Sequence, residues 1–326
     1  MKTIVITLFT VVCLNMSFAQ TMKKYDGIQS FSENRAVVKL NGKYGLIDNE
    51  RNEIASCKYD LVLTFCNGRS VVKLKNKYGY IDENGSEVIP LQYDYAGYFT
   101  NNRALVMLND KYGFIDRDGK EIIPIQYDDA SHAFSSFNEG LAWVKMNDKY
   151  GFIDEDGNKI IALSYEDAGN FNEGLAWVKL NDKYGFIDKT GKEIVSIIYD
   201  YAKDFQNERA IVKLKNKYGF INKSGEEIIP LKYDQVNQFY GLNSAIVVLN
   251  GKYILIDREG KALSKEYDYA DEGFSCSCIR VKLENKWGFI DAYGKEIIPL
   301  IYDDAEMFRN CQAQVTLKGK KKYIKK

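Results

Sequence analysis

The sequence predicts an all-β chain, built as a tandem repeat of short antiparallel hairpins and meanders in an open β-solenoid-like array, with a closed β-propeller as the alternative. Three observations carry this expectation. The tripeptide Lys-Tyr-Gly or a near relative ends at Gly45, Gly79, Gly113, Gly151, Gly185, Gly219, Ile254 and Gly288, in steps of 34, 34, 38, 34, 34, 35 and 34 residues. Self-similarity at such a period marks one supersecondary unit copied and stacked. Tyrosine is abundant, with 24 residues against 4 prolines, which suits many short strands. No stretch sustains an apolar pattern of helical period.

The hairpin comes first. Two residues separate an apolar run from Lys-Tyr, and the second of them is Gly42, Asn76, Asp110, Asp148, Asp182, Asn216, Gly251 or Asn285. All of these tolerate positive φ, and Asn41-Gly42 and Asn250-Gly251 are strong type I′ signals. That turn sets the register: Leu40 opposite Lys43, Val38 opposite Gly45, Ala36 opposite Ile47. One face is then small and aliphatic and is expected to be core. The other carries Val37, Lys39, Tyr44 and Leu46, or in later copies Trp143, Lys145, Tyr150, Phe152 and Trp177, Lys179, Tyr184, Phe186.

A third strand follows. Asp-x-x-Gly, as at Asp116 to Gly119, suits a type I turn with a left-handed glycine leading into a short strand such as Glu121-Ile122-Ile123. The first copy has Arg51 in place of that glycine, so its turn is expected to differ. Pro90, Pro124, Pro230 and Pro299 share one position after this strand, where pairing is expected to stop because proline lacks a ladder donor. Tyr-Asp-x-Ala with a later phenylalanine, as in Tyr93, Asp94, Ala96 and Phe99, reads as a crossing segment of ambiguous period, either a fourth short strand or a helical turn. A degraded ninth copy is read at Lys322-Tyr323-Ile324, with the two-residue turn broken.

Residues 1–19 read as a signal peptide, with small residues at Ser17 and Ala19 before the cleavage site. An uncleaved anchor and a lipoprotein at Cys13 are weaker alternatives. Residues 20–326 are then a single repeat domain of about nine units, exported, and periplasmic, cell-surface or extracellular. No transmembrane segment is expected in the mature chain. Loss of Lys2 with the leader leaves 44 basic and 45 acidic residues, a balance that argues against nucleic acid as a partner. Of the five remaining cysteines, Cys276 or Cys278 lies in a segment equivalent to that of Cys311, and Cys57 and Cys66 bracket one crossing segment. Export permits such pairings.

No residue set points to catalysis. His132 stands alone in a five-residue insertion, the Asp-x-x-Gly turns lack the spacing of calcium ligands, and Cys-x-Cys has no matching pair for zinc. No metal, cofactor or catalytic residue is therefore expected. The candidate binding residues are Trp143, Lys145, Tyr150, Trp177, Lys179 and Tyr184, whose rings suit a protein side chain or a sugar. The competing reading is that the rings pack between repeats under the lysine stems.

The run Lys286-Trp287-Gly288-Phe289-Ile290-Asp291, with Gly294-Lys295-Glu296-Ile297-Ile298-Pro299 and Tyr302-Asp303-Asp304-Ala305, resembles the WG (KWG) repeat of bacterial proteins over nearly the whole mature chain. Tyrosine replaces the motif tryptophan at Tyr44, Tyr78, Tyr112, Tyr150, Tyr184 and Tyr218. The resemblance implies a β-rich tandem repeat, often exported, without a shared catalytic site. A looser likeness to choline- or glucan-binding hairpin repeats implies a carbohydrate role. The expected function is a non-catalytic protein-binding or scaffolding module at the cell envelope, with cell-wall glycan binding as the alternative.

Overall fold

The computed structural model describes residues 25–131, 137–239 and 244–326. The proposed signal peptide, His132 and most of the insertion around it lie outside these residues. Among the described residues there is no helix, and every sheet is a three- or four-stranded antiparallel meander, none closed into a barrel. The fold class is therefore the all-β array of short hairpins and meanders expected. Two compact units divide at Leu91 and Gln92.

The first unit contains the sheet Gly27–Ile28, Arg35–Leu40, Lys43–Asp48 and Glu53–Tyr59, strands adjacent in sequence being adjacent in space. Its hairpin has the register the turn dictates, with Leu40↔Lys43, Val38↔Gly45 and Ala36↔Ile47. Arg51 takes φ 67° and donates its N–H to Asp48 O at 3.0 Å. The first Asp-x-x-Gly turn is thus kept without its glycine, contrary to expectation, because the bonds of the turn hold the residue in the left-handed region.

The second unit repeats this design. One complete sheet is Asp167–Ala168, Leu175–Leu180, Lys183–Asp188 and Glu193–Tyr199. The crossing segment resolves into the short strand Asp167–Ala168 and a second two-residue turn, Glu173-Gly174, with φ 55° and 89°. The long strand corrects the expectation that pairing ends at the proline position. Two repeats earlier it runs Glu121–Tyr127 through the exposed Pro124, with Phe114↔Ile123 and then Tyr112↔Tyr127. Three residues there oppose one, a bulge in which proline's missing donor costs no ladder bond. The bulged backbone crosses over the glycine of Lys-Tyr-Gly: a Cβ on Gly113 would lie 2.7 Å from Ile123 O, and one on Gly185 2.6 Å from Val195 O. Close backbone approach, rather than turn geometry, demands this glycine. Where Ile254 replaces it, only the bridges Tyr253↔Tyr267 and Ile256↔Ala262 remain of the long strand.

The last copy is less degraded than its sequence implies. Lys318-Gly319 forms the same two-residue turn, at φ 50° and 73°, and Leu317 pairs with Lys320. Lys320 therefore holds the lysine position, Lys322 the glycine position and Tyr323 that of the following aromatic, a two-residue correction to the alignment at Lys322-Tyr323-Ile324.

Both faces of the hairpins are buried at the base, not the small-residue face alone, except in the last hairpin, where Gln314 is half-buried and Tyr323 exposed. Phe186 and Val195 of one repeat pack with Ala202, Phe205, Val212 and Ile221 of the next. Phe152 and Ile161 pack likewise with Phe171, Val178 and Ile187. The recurrent phenylalanine of the crossing segment meets the preceding repeat's aromatic edge-on, with centroids 4.7 Å apart for Phe186 and Phe205 and 4.8 Å for Phe152 and Phe171. Edge-to-face contacts at this distance add to the area buried. The hydrophobic core thus lies between repeats.

Candidate ring and lysine face

The rings stand on a scaffold of charged clasps. The aspartate of Tyr-Asp-x-Ala accepts a hydrogen bond from the Lys-Tyr-Gly lysine of the preceding repeat and from the backbone of its own hairpin turn. Asp200 takes Lys183 Nζ at 2.5 Å and Lys215 N at 2.7 Å, and Asp268 takes Lys252 Nζ at 2.6 Å and Glu284 N at 2.8 Å. Asp60, Asp128, Asp234 and Asp303 repeat the pattern with Lys43, Lys111, Lys217 and Lys286. The lysine hydrogen bond is the main cause that holds the Asp200 and Asp268 carboxyls below the ordinary aspartate value. One side chain thereby fixes a hairpin tip and its neighbour together.

All six candidate residues fall on one face, half-buried. Trp143 meets Tyr150 at a centroid distance of 5.4 Å, and Trp177 meets Tyr184 at 5.6 Å. Lys145 Nζ lies 5.7 Å from the Tyr150 ring centre and 2.9 Å from Asp148, and Lys179 lies 6.0 Å from the Tyr184 ring and 2.7 Å from Asp182. These turn carboxylates raise both lysine pKa values. Burial raises that of Tyr150. Trp177 is seated rather than free: it lies across Gly169, where a Cβ would be 2.2 Å from its Nε1. Burial pushes the Asp204 carboxyl up, and its Oδ1 has no hydrogen-bond partner among the described residues. The structure therefore brings the predicted residues together, within each repeat, as Trp–Tyr–Lys–Asp sets.

The row extends beyond them. Tyr184 reaches Tyr201 at 6.2 Å, and Tyr201 reaches Tyr218 at 6.2 Å and 73°. Tyr253, Tyr269 and Trp287 form a further run at 5.5 Å steps. Arg280, at the strand position of Trp177, stacks 4.7 Å from the Trp287 ring while its guanidinium pairs with the buried Asp271 at 2.9 Å. Sequence reasoning missed Tyr201 and Tyr269 because they sit in the crossing segment. The alternation Tyr201-Ala202, with its alanine buried, was the available signal.

Among the described residues no cluster of three or more His, Cys, Asp or Glu is placed to hold a metal, and no helix is long and apolar enough to cross a membrane. Cys276 is joined to Cys311, so of the two pairings open at that site Cys276, not Cys278, is the partner. Cys66 and Cys278 are thiols, which leaves no bond between Cys57 and Cys66.

The family described as WG containing repeat matches the chain nine times, over residues 23–44, 44–78, 78–112, 112–150, 150–184, 184–218, 218–253, 255–287 and 287–320. No curated protein matches it. Among solved structures, the chain is similar to a eukaryotic initiation factor, with 10% identity, a TM-score of 0.47 and coverage of 88% of this chain and 90% of that one. It is also similar to PorZ, a bacterial surface component of the type-IX secretion system of Porphyromonas gingivalis, at 11% identity and TM-score 0.30, over 91% of this chain and 51% of that one. A third likeness is to the extracellular domain of a putative hybrid two-component system from B. thetaiotaomicron, at 10% identity and TM-score 0.29, over 91% and 57%.

Proposed function

We propose, for a chain that belongs to the WG-repeat family, a non-catalytic protein-binding or scaffolding role at the cell envelope after export. The observation that carries this reading is the ring row: half-buried aromatics with cations over them recur at one register position of successive repeats. A linear display of this kind suits an extended partner better than a compact ligand. A disulfide between surface turns fits an oxidising compartment.

A protein partner is favoured over a glycan by what covers the rings. Lys213 Nζ lies 5.1 Å from the Tyr218 ring centre, and Lys179 sits similarly on Tyr184. A sugar stacking flat on those faces has to displace an ammonium that the ring itself attracts. Pull-down from envelope extracts by the immobilised full chain tests the reading. Retention of a discrete protein is expected, and it should be lost when Tyr184 and Tyr218 are both replaced by serine. Retention only of polysaccharide, or of nothing, sinks it.

A further inference from the structure

The lysines of the ring row are not equivalent. In two successive repeats the lysine is compensated twice: Lys145 has Asp129 as its cross-strand neighbour and bonds Asp148, and Lys179 has Asp167 and bonds Asp182. In the following repeat both acids are gone. Lys213 faces Tyr201 across the strands, and Asn216 holds the turn position. Lys203 emerges, exposed, two residues beyond Tyr201. Neither Lys203 nor Lys213 has an ion-pair partner among the described residues. Asp204, the nearest acid along the chain, makes no ion pair with either lysine among the described residues, and its Oδ1 is buried without a hydrogen-bond partner there.

A cleft opens at this place. It has a volume of about 210 Å³ and is lined by Tyr201, Tyr218, Lys203, Gln235 and Asn237, with Lys213 over the Tyr218 ring. The cleft is below the range of about 300–1,000 Å³ usual for small-molecule sites, and it matches one or two side chains. Tyr201 stands edge-on to Tyr218, and Lys213 covers Tyr218, so a sugar has no pair of parallel open rings to stack between. What remains is an apolar ring wall for methylenes, two cations for carboxylates, and the side chains of Gln235 and Asn237, the latter's amide N–H already donated to Glu272 O at 3.2 Å. Cation pairs beside low-dielectric walls gain more from an anion than isolated surface lysines do.

We infer that this cleft is a docking point for the carboxylate side chains of an acidic polypeptide segment, gripped by Lys203 and Lys213 against Tyr201 and Tyr218. The inference rests on the protein-binding reading and names the chemistry of the partner there. Repeats with compensated lysines then serve as neutral flanks, so that a partner's acidic stretch is fixed in register on the array.

The test uses the full chain and a fluorescein-labelled deca-glutamate peptide, read by anisotropy, with its deca-glutamine counterpart and polygalacturonate as comparison probes. Binding of the glutamate peptide is expected, weakening with added salt and absent for the glutamine peptide. K203Q/K213Q should weaken it by about tenfold or more, whereas K192Q/K295Q, an equal charge loss elsewhere, should change it by less than about twofold. Equal losses in the two double variants, no binding of the peptide, or binding of polygalacturonate alone overturns the inference. A pull-down with K203Q/K213Q separates this from the broader reading. If the variant retains the same envelope protein as the parent chain, only the cleft assignment falls; if neither retains one, the binding-module reading falls as well.

Discussion

Cys276 and Cys311 occupy the second type of two-residue turn in adjacent repeats, with Cα atoms 5.5 Å apart, and their disulfide stands where other repeats use an acid. Glu33 accepts N–H bonds from Asn67 and Gly68 of the next turn, Glu139 accepts from Gly174, and Glu173 from Glu208. The bond between turns thus recurs along the chain, made by a carboxylate at Glu33, Glu139 and Glu173 and covalently at Cys276. A covalent closure over a separation of 35 residues constrains the unfolded chain by about 3–4 kcal/mol. Reduction, or Cys311→Ser, should lower the denaturant midpoint of the C-terminal repeats, measured by tyrosine and tryptophan fluorescence with and without reductant. No change in midpoint would show that the turns are held by other contacts.

The glycine of Lys-Tyr-Gly and the glycine of the second turn predict opposite sensitivities. A Cβ on Gly185 meets backbone at 2.6 Å, whereas one on Gly174 meets nothing within 4 Å and meets only the strain of φ 89°. Gly185→Ala should cost more than about 3 kcal/mol, in the range of severe overpacking, and Gly174→Ala about 1–2. Urea titration of both variants checks the order; equal costs would show that the bulge does not press on Gly185.

The interrepeat clasps set a pH dependence. Asp60, Asp128, Asp200, Asp234, Asp268 and Asp303 have carboxyl pKa values depressed below 3.8, chiefly by their lysine bonds. A depressed folded value means that the unfolded chain binds more protons, so the stabilisation is present above about pH 4 and is lost as pH falls through the folded values. Melting temperature should therefore drop below pH 4, and the drop should be shallower in Asp200→Asn, which keeps the backbone bond but not the charge. An identical acid profile in the variant would contradict the clasp.

Asp204 predicts the reverse sign. Burial raises its pKa above 3.8, so the folded chain holds the proton more tightly, and stability falls as pH rises through that window. Asp204→Asn should melt higher than the parent at pH 7, and the difference should vanish near pH 3. A lower melting temperature at pH 7 would mean that the charged carboxylate is stabilised where it sits.

How much of this was legible follows from range. The Leu40↔Lys43 register was readable because turn type and strand pairing are local. Lys183 and Asp200 are seventeen residues apart, and only the constancy of that spacing, repeated at Lys43 and Asp60 and at Lys217 and Asp234, hinted at a bond between repeats. The bulge opposite Gly185 was not readable, since proline at the equivalent positions suggested an end to pairing where the structure has a detour. The burial of Phe186 followed from a neighbouring sheet that no single unit encodes. The two-residue turns at Asn67-Gly68, Glu139-Gly140 and Glu173-Gly174 carried a glycine signal that the crossing-segment reading passed over.

The central claim is that each unit's core is made with its neighbours, as Phe186 is with Phe205 and Val212. The most direct measurement is far-UV circular dichroism, with thermal melting, of residues 167–200 prepared alone. A disordered spectrum without a cooperative transition is expected; a β spectrum that melts cooperatively would show that one unit completes its core alone.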